Sequence, residues 1–133
     1  MNRIVPALGL AALIIGAALA VTFARSQGLI GSDMGERIVM VVIGLVLVVL
    51  NNAVPKQLAS PQASARAEAF GQSVRRTTGW AMTLAGLAWA AIWAFAPMDL
   101  ARTLSIVAMG GAVAVVLSHF VWALRRYRDP GQA

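Results

Sequence analysis

The sequence contains no cysteine and few charged residues, and each lack excludes a class of protein. Without cysteine, a disulfide scaffold, a cysteine-based zinc site and a thiol nucleophile are all excluded. Charged residues make up 12% of the 133 residues and hydrophobic residues 59%, whereas soluble domains carry about 25% charged residues. Such a composition cannot form a water-soluble surface. The chain is therefore predicted to be a single integral membrane domain.

Four apolar segments are long enough to cross a hydrocarbon core, which takes about 20 helical residues. We place them at about 4–24, 34–54, 77–96 and 103–124. The second is rich in Val and Ile, but a helix is favoured because backbone polar groups in lipid must be satisfied within the segment. Short connections make neighbouring helices antiparallel. The predicted fold is an all-α, up-down four-helix bundle.

Basic residues are distributed unequally between the two sides of this bundle. The N-terminal tail, the 55–76 connection and the C-terminal tail share one side and carry eight basic residues. The opposite side carries three basic and three acidic residues. The positive-inside rule therefore predicts that both termini are cytoplasmic, and anionic lipid headgroups are the expected partners of the basic side. Nucleic-acid binding is not predicted, because the basic residues lie at membrane interfaces on short connections.

The N-terminal segment also has features of a signal peptide, with Arg3 before an apolar run and Ala18-Leu-Ala20 as a possible cleavage site. Because the apolar run continues to Ala24, we expect a retained first helix.

Three local signals predict where helices begin. Asp99 is the expected N-terminal cap of the fourth span, and the capping-box spacing of Asp33-Met-Gly-Glu36 predicts that the second helix starts near Asp33. Ser60-Pro61 predicts a cytoplasmic helix within the 55–76 connection. This helix either continues into the third span or breaks at Gly71.

Small residues recur at four-residue spacing on three spans, where they allow helix backbones to approach closely. These ridges are Ala12, Gly16, Ala20 and Ala24; Gly86, Ala90 and Ala94; and Gly110, Ala114 and Ser118. They are interpreted either as packing inside one bundle or as an interface with a second copy or a membrane-protein partner.

Residue types that support catalysis are sparse. The chain has one histidine, His119, and the central part of each span carries no acidic residue. We therefore expect no enzymatic activity, no metal site and no cofactor. His119 is open to two interpretations: a helix-to-helix hydrogen bond, or a role in handling a proton or ligand.

The most distinctive segment is Asn51-Asn52-Ala-Val-Pro55-Lys56, at the inner end of the second span. It is interpreted either as a helix stop or as one wall of a polar site on the cytoplasmic side, because Pro ends helices and Lys complements the C-terminal dipole. Such a site would bind an anionic headgroup or an acidic partner segment. Its candidate residues are Asn51, Asn52, Pro55, Lys56, Arg75, Arg76, Trp80 and His119.

The Asn-x-x-Pro-Lys pattern resembles the Gly-Asn-x-x-Pro-Lys motif of the SdpI/YhfL family of small bacterial membrane proteins. Asn52, Pro55 and Lys56 match the motif, and Asn51 replaces the glycine. The segment from Arg75 to Trp80 is similar to the start of that family's next helix. The similarity covers about 34–96, but positions 57–72 lack the family's Asn-x-x-x-Gly-x-Arg-Thr-like stretch.

This resemblance implies an immunity protein of the bacterial inner membrane, which protects its cell from a secreted toxic peptide and in some cases sequesters a regulator. The residues themselves also allow an accessory or structural subunit of a larger membrane complex. A small carrier is a third interpretation, although no span carries the central carboxylate on which proton-coupled carriers usually rely.

Overall fold

The computed structural model describes residues 4–53 and 64–128, and the regular structure in these ranges is helical. The helices are α1 (Ile4–Ser26), α2 (Ser32–Ala53), α3 (Ala65–Phe95) and α4 (Met98–Arg128). Each corresponds to one of the four predicted spans. The predicted all-α class is confirmed.

Three of the described helices are long and apolar enough to cross a membrane. The qualifying segments are Leu8–Ser26, Ala67–Phe95 and Met98–Arg128. α2 is not among them, and its ends are polar, with Glu36 and Arg37 before its apolar stretch and Asn51 after it. The 13 residues of Ile38–Leu50 between them extend about 20 Å at 1.5 Å per residue. This is shorter than a hydrocarbon core of about 30 Å.

α3 contacts both α2 and α4. Toward α2, Gly44 lies against Ala90, and Val48 lies against Gly86. The residue numbers of these contacts increase along α2 and decrease along α3. The two helices are therefore antiparallel. A Cβ atom added at Gly44 would lie 2.8 Å from the backbone nitrogen of Ala90. The backbones therefore approach as closely as glycine permits, and Gly86 and Ala90 of the predicted α3 ridge pack within the chain, whereas Ala94 is exposed.

The other two small-residue ridges are mostly exposed. Gly16 on α1 and Gly110 on α4 have no described side chain or neighbouring helix within 4 Å of an added Cβ. Ala12 and Ala114 on the same ridges are exposed as well. α1 contacts the rest of the described chain chiefly through α2, and only lightly. Packing inside one bundle therefore accounts for Gly86 and Ala90 of the α3 ridge but not for these two ridges.

α3 begins after Ser64, whose side-chain oxygen accepts a hydrogen bond of 3.3 Å from the Ala67 backbone N–H. The start signal predicted at Ser60-Pro61 lies outside the described residues. α3 runs through Gly71 without interruption, so the connection is partly helical, as predicted, and the alternative break at Gly71 is wrong. Its 31 residues extend about 46 Å at 1.5 Å per residue.

The expectation that Asp99 caps the fourth helix is wrong, because α4 starts one residue earlier. The Pro97 carbonyl already accepts hydrogen bonds from the backbone N–H groups of Leu100 and Ala101, at 3.1 and 2.9 Å. α2 begins at Ser32, next to Asp33 as predicted, and Asp33 and Asp99 both lie in the first turn of their helices. Their negative charges still complement the N-terminal ends of the helix dipoles.

Candidate functional site

Polar and aromatic side chains meet where the beginning of α3 contacts the end of α4. A hydrogen bond of 3.1 Å joins Ser73 Oγ to His119 Nε2. The ring centroid of Phe70 lies 6.1 Å from that of Phe120 and 5.3 Å from that of Tyr127. Because early residues of α3 meet late residues of α4, these two helices are also antiparallel.

One face of α4 carries a row of stacked groups. His119, Trp122 and Arg126 follow one another at helical spacing, three and then four residues apart. The imidazole centroid of His119 lies 5.5 Å from that of Trp122. The guanidinium carbon of Arg126 lies 4.3 Å from the Trp122 ring centroid, within the range of a cation–π interaction. The indole ring thus orients a histidine and an arginine on the same side of the helix.

These groups border an open groove of about 330 Å³, which we call the α3–α4 groove. Its lining consists of Ala69, Phe70, Ser73, Trp122, Ala123, Arg126 and Tyr127. Ala123 is buried, whereas Trp122, Arg126 and Tyr127 are exposed. Three arginines, at positions 125, 126 and 128, occupy the last turn of α4 beside the groove. The groove is therefore aromatic, hydroxyl-bearing and flanked by positive charge.

The predicted site residues are only partly brought together here. None of the six that the structure describes lines the groove itself, but His119 contacts Ser73 and Trp122, which do. The contact with Ser73 is the helix-to-helix hydrogen bond that was one of the two interpretations of this histidine. Arg76 is exposed on α3, three residues beyond Ser73, and Arg75 is half-buried.

The remaining predicted residues belong to the end of α2 and to the outside of α3. The side-chain amide of Asn51 donates a hydrogen bond of 2.8 Å to the Leu47 carbonyl of its own helix. Asn52 is exposed, and Pro55 and Lys56 lie outside the described residues. Trp80 is 60% exposed, so its indole ring presents most of its surface to the surroundings of the bundle.

The residues that line the α3–α4 groove were not predicted as a site. A signal for them was present, because Trp122 and Arg126 follow His119 at helical spacing, and Phe70 and Ser73 lie three residues apart on α3. The sequence pattern does not show that these two helix faces contact each other, because Ser73 and His119 are 46 positions apart.

A second set of polar contacts holds the opposite ends of α2, α3 and α4 together. Arg37 Nη1 donates a hydrogen bond of 2.9 Å to the Trp93 carbonyl, one of the last carbonyls of α3. Such carbonyls have no partner within their own helix. Arg102 Nη2 lies 3.2 Å from the Glu36 carboxylate. This ion pair is exposed enough that it contributes about 0–1 kcal/mol.

Two tryptophans at this end of α3 differ in how their indole N–H groups are satisfied. Trp89 Nε1 donates a hydrogen bond of 3.0 Å to the Met40 carbonyl. Trp93 is 2% exposed, and its Nε1 has no hydrogen-bond partner among residues 4–53 and 64–128. An unpartnered buried donor costs about 1–3 kcal/mol.

Substituting each of these tryptophans by phenylalanine tests this difference. Trp89→Phe and Trp93→Phe remove the same atoms from the side chain, but only the first removes a hydrogen bond. We expect the free energy of unfolding to fall by about 1 kcal/mol more for Trp89→Phe than for Trp93→Phe. Thermal unfolding of both variants in the same detergent measures the difference, and equal losses would contradict the assignment.

In the part of the chain that the structure describes, no three His, Asp or Glu side chains come together in a way that could hold a metal ion. Comparison of the chain with known proteins finds no matching family model, no matching curated protein and no matching solved structure. The α3–α4 groove is therefore the feature on which we base a functional proposal.

Proposed function

We propose that this chain is a small, non-catalytic binding protein of a bacterial inner membrane, and that it holds an acidic amphipathic peptide segment in the α3–α4 groove. The observation that carries the proposal is the presence of Trp122, Arg126 and Tyr127 in one open groove. Trp, Tyr and Arg are the residue types in which the binding energy of protein interfaces is concentrated.

The positive charge around the groove favours a negatively charged partner. The Arg126 guanidinium lies over an indole ring, and Arg125 and Arg128 flank it in the last turn. Carboxylates of a partner would pair with these guanidinium groups in the bidentate geometry that arginine favours. Apolar side chains of the same partner would contact Phe70 and Ala69.

In the proposed topology all four helices cross the membrane and both termini are cytoplasmic. α2 is included, despite its short apolar stretch, because it lies antiparallel along α3 from the Arg37–Trp93 contact to the Val48–Gly86 contact. The three arginines that end α4 favour the cytoplasmic side. The α3–α4 groove would then open toward the cytoplasm, at the level of the lipid headgroups.

Because the chain has no cysteine, its topology is testable by single-cysteine labelling without a background signal. We expect Gln27→Cys, between α1 and α2, to react with a membrane-impermeant maleimide in intact spheroplasts. Asn2→Cys and Gln132→Cys are expected to react only after the membrane is opened. Labelling of Gln132→Cys in intact spheroplasts, with Gln27→Cys protected, would invert the proposed orientation.

The resemblance to the SdpI/YhfL family supports a more specific form of this function, in which the chain confers immunity to a toxic peptide and sequesters an acidic regulator inside the cell. The test is a deletion strain of the host bacterium, complemented with variants. Deletion is expected to sensitise cells to a membrane-active peptide, and the native chain to restore resistance. Unchanged sensitivity to a panel of such peptides would remove the immunity role.

A second candidate function, an accessory subunit of a larger membrane complex, is favoured by the exposed small-residue ridge of α1. Gly16 and Ala12 on this ridge have room for another helix at close range. Purification from native membranes in a mild detergent separates the two candidates. A fixed stoichiometry with larger membrane proteins would support the accessory role, whereas an isolated chain or homo-oligomer would rule it out.

A further inference from the structure

A second groove, of about 400 Å³, lies at the end of the bundle opposite the α3–α4 groove, and we call it the α2 groove. It is lined by Met34, Arg37, Ile38, Val41, Val42 and Ala94. The apolar positions of α2 in this set recur at helical spacing, so they share one face of the helix. From the first to the last of them the groove extends about 12 Å along the helix axis.

Arg37 is the charged residue of this lining. Its side chain is half-buried, and one of its N–H groups is used by the Trp93 carbonyl. A guanidinium has five N–H donors, so the group retains donors for another acceptor.

Two of the three carboxylates at this end, those of Glu36 and Asp33, are engaged with other groups. Glu36 forms an ion pair with Arg102, and Asp33 accepts a hydrogen bond of 3.1 Å from Ser32 Oγ. Within the described ranges, Arg37 has no carboxylate within salt-bridge distance. The groove therefore combines an apolar floor with the positive charge of Arg37, which forms no ion pair in the part of the chain that the structure describes.

We propose that the α2 groove binds an anionic phospholipid, with the phosphate on Arg37 and an acyl chain along Ile38, Val41 and Val42. Two observations favour an anionic phospholipid as the occupant of this groove. The guanidinium is complementary in charge and shape to a phosphate. The groove also runs parallel to the helix axis, as an acyl chain does beside a membrane-spanning helix, and Arg37 precedes the apolar stretch of α2, at the level of the headgroups. This proposal requires that α2 spans the membrane, but it is independent of peptide binding at the α3–α4 groove.

The test is lipid retention by the full chain, measured by native mass spectrometry after extraction from vesicles. The vesicles contain equal amounts of phosphatidylglycerol and phosphatidylcholine with identical acyl chains. We expect the native chain to retain phosphatidylglycerol about ten times more than phosphatidylcholine, as one charge-assisted contact would give. Arg37→Gln should abolish this preference. Arg25→Gln, which removes an exposed charge beside the start of α2 from a residue outside the groove lining, should keep it.

A second variant keeps the test valid if Arg37→Gln also weakens folding through the lost Trp93 contact. Ala94→Trp fills the groove while leaving Arg37 in place, and is expected to lower phosphatidylglycerol retention about tenfold. Ala114→Trp, on the exposed face of α4, is the matched control and should have no effect. Equal retention by native chain and Ala94→Trp, equal loss in both arginine variants, or displacement of the lipid by free glycerol phosphate would each overturn the proposal.

Discussion

Replacing Gly44 by alanine is expected to separate α2 from α3 and to lower the free energy of unfolding by about 1–3 kcal/mol, the range for overpacked interiors. The added Cβ would lie 2.8 Å from the Ala90 backbone nitrogen and 2.9 Å from the Gly86 carbonyl oxygen. Both are backbone atoms, which cannot rotate away as a side chain does. The helices must therefore move apart along their whole contact, and the packing that association in lipid depends on is lost.

Other glycines of the chain supply matched controls for this substitution. Gly16→Ala and Gly110→Ala place the same methyl group in open space, so we expect no loss of stability. Gly35→Ala meets the Cδ atom of Arg25 at 2.6 Å, but that flexible side chain is free to swing aside. Unfolding of the variants in mixed detergent micelles gives the comparison. A Gly44→Ala chain as stable as Gly110→Ala would show that α2 and α3 do not approach this closely.

Gly86 tests the same contact from the α3 side, since its added Cβ would lie 2.9 Å from the Gly44 carbonyl oxygen. The two alanine substitutions should not be additive. Once the first has separated the helices, the second meets little further resistance. We expect the double variant to lose less than the sum of the single losses, as is usual for residues in contact.

Replacing Trp122 by alanine is the second substitution with a large expected effect, this time on binding. The indole ring lines the α3–α4 groove and contacts both the His119 imidazole and the Arg126 guanidinium. Without it the groove loses its largest apolar surface and the group that orients Arg126. Truncation of such an interface residue typically costs 2 kcal/mol or more. We therefore expect affinity for an acidic amphipathic peptide to fall about 30-fold or more.

Trp80→Ala is the matched control, because it removes the same side chain from α3 at a position that does not line the groove. It also separates the groove from the site predicted around the end of α2, of which Trp80 was a member. Full affinity in Trp80→Ala together with loss in Trp122→Ala assigns binding to the groove. The reverse result would instead support the polar site predicted from Asn52 and Lys56.

The helices could be predicted from sequence because hydropathy and length depend only on local composition. The residues at which helices begin were harder to predict. Asp99 is a good capping residue, but the Pro97 carbonyl accepts the first hydrogen bonds of α4. The break considered at Gly71 did not occur either, since α3 continues through it. A lone glycine weakens a helix without ending it.

The candidate site was harder to predict, because it depends on which helix faces meet. The end of α2 stood out because its asparagines follow an apolar run, and Asn51 proves to bond within its own helix. His119 stood out as the single histidine, but its partners Ser73 and Trp122 were ordinary residues of two amphipathic faces. Likewise, the spacing of small residues predicted the ridge that contains Gly86. It did not predict the partner Gly44, which lies among valines and isoleucines.

The most direct measurement of the proposed function is the affinity of the full chain, in nanodiscs of phosphatidylcholine, for two dye-labelled amphipathic peptides. One presents leucine on one face and glutamate on the other, and its counterpart carries lysine in place of glutamate. We expect the acidic peptide to bind, to weaken as salt is added, and to depend on Trp122 and Arg126, while the basic peptide does not bind. Equal binding of both peptides, or binding of neither, would contradict the proposal that the α3–α4 groove holds an acidic segment.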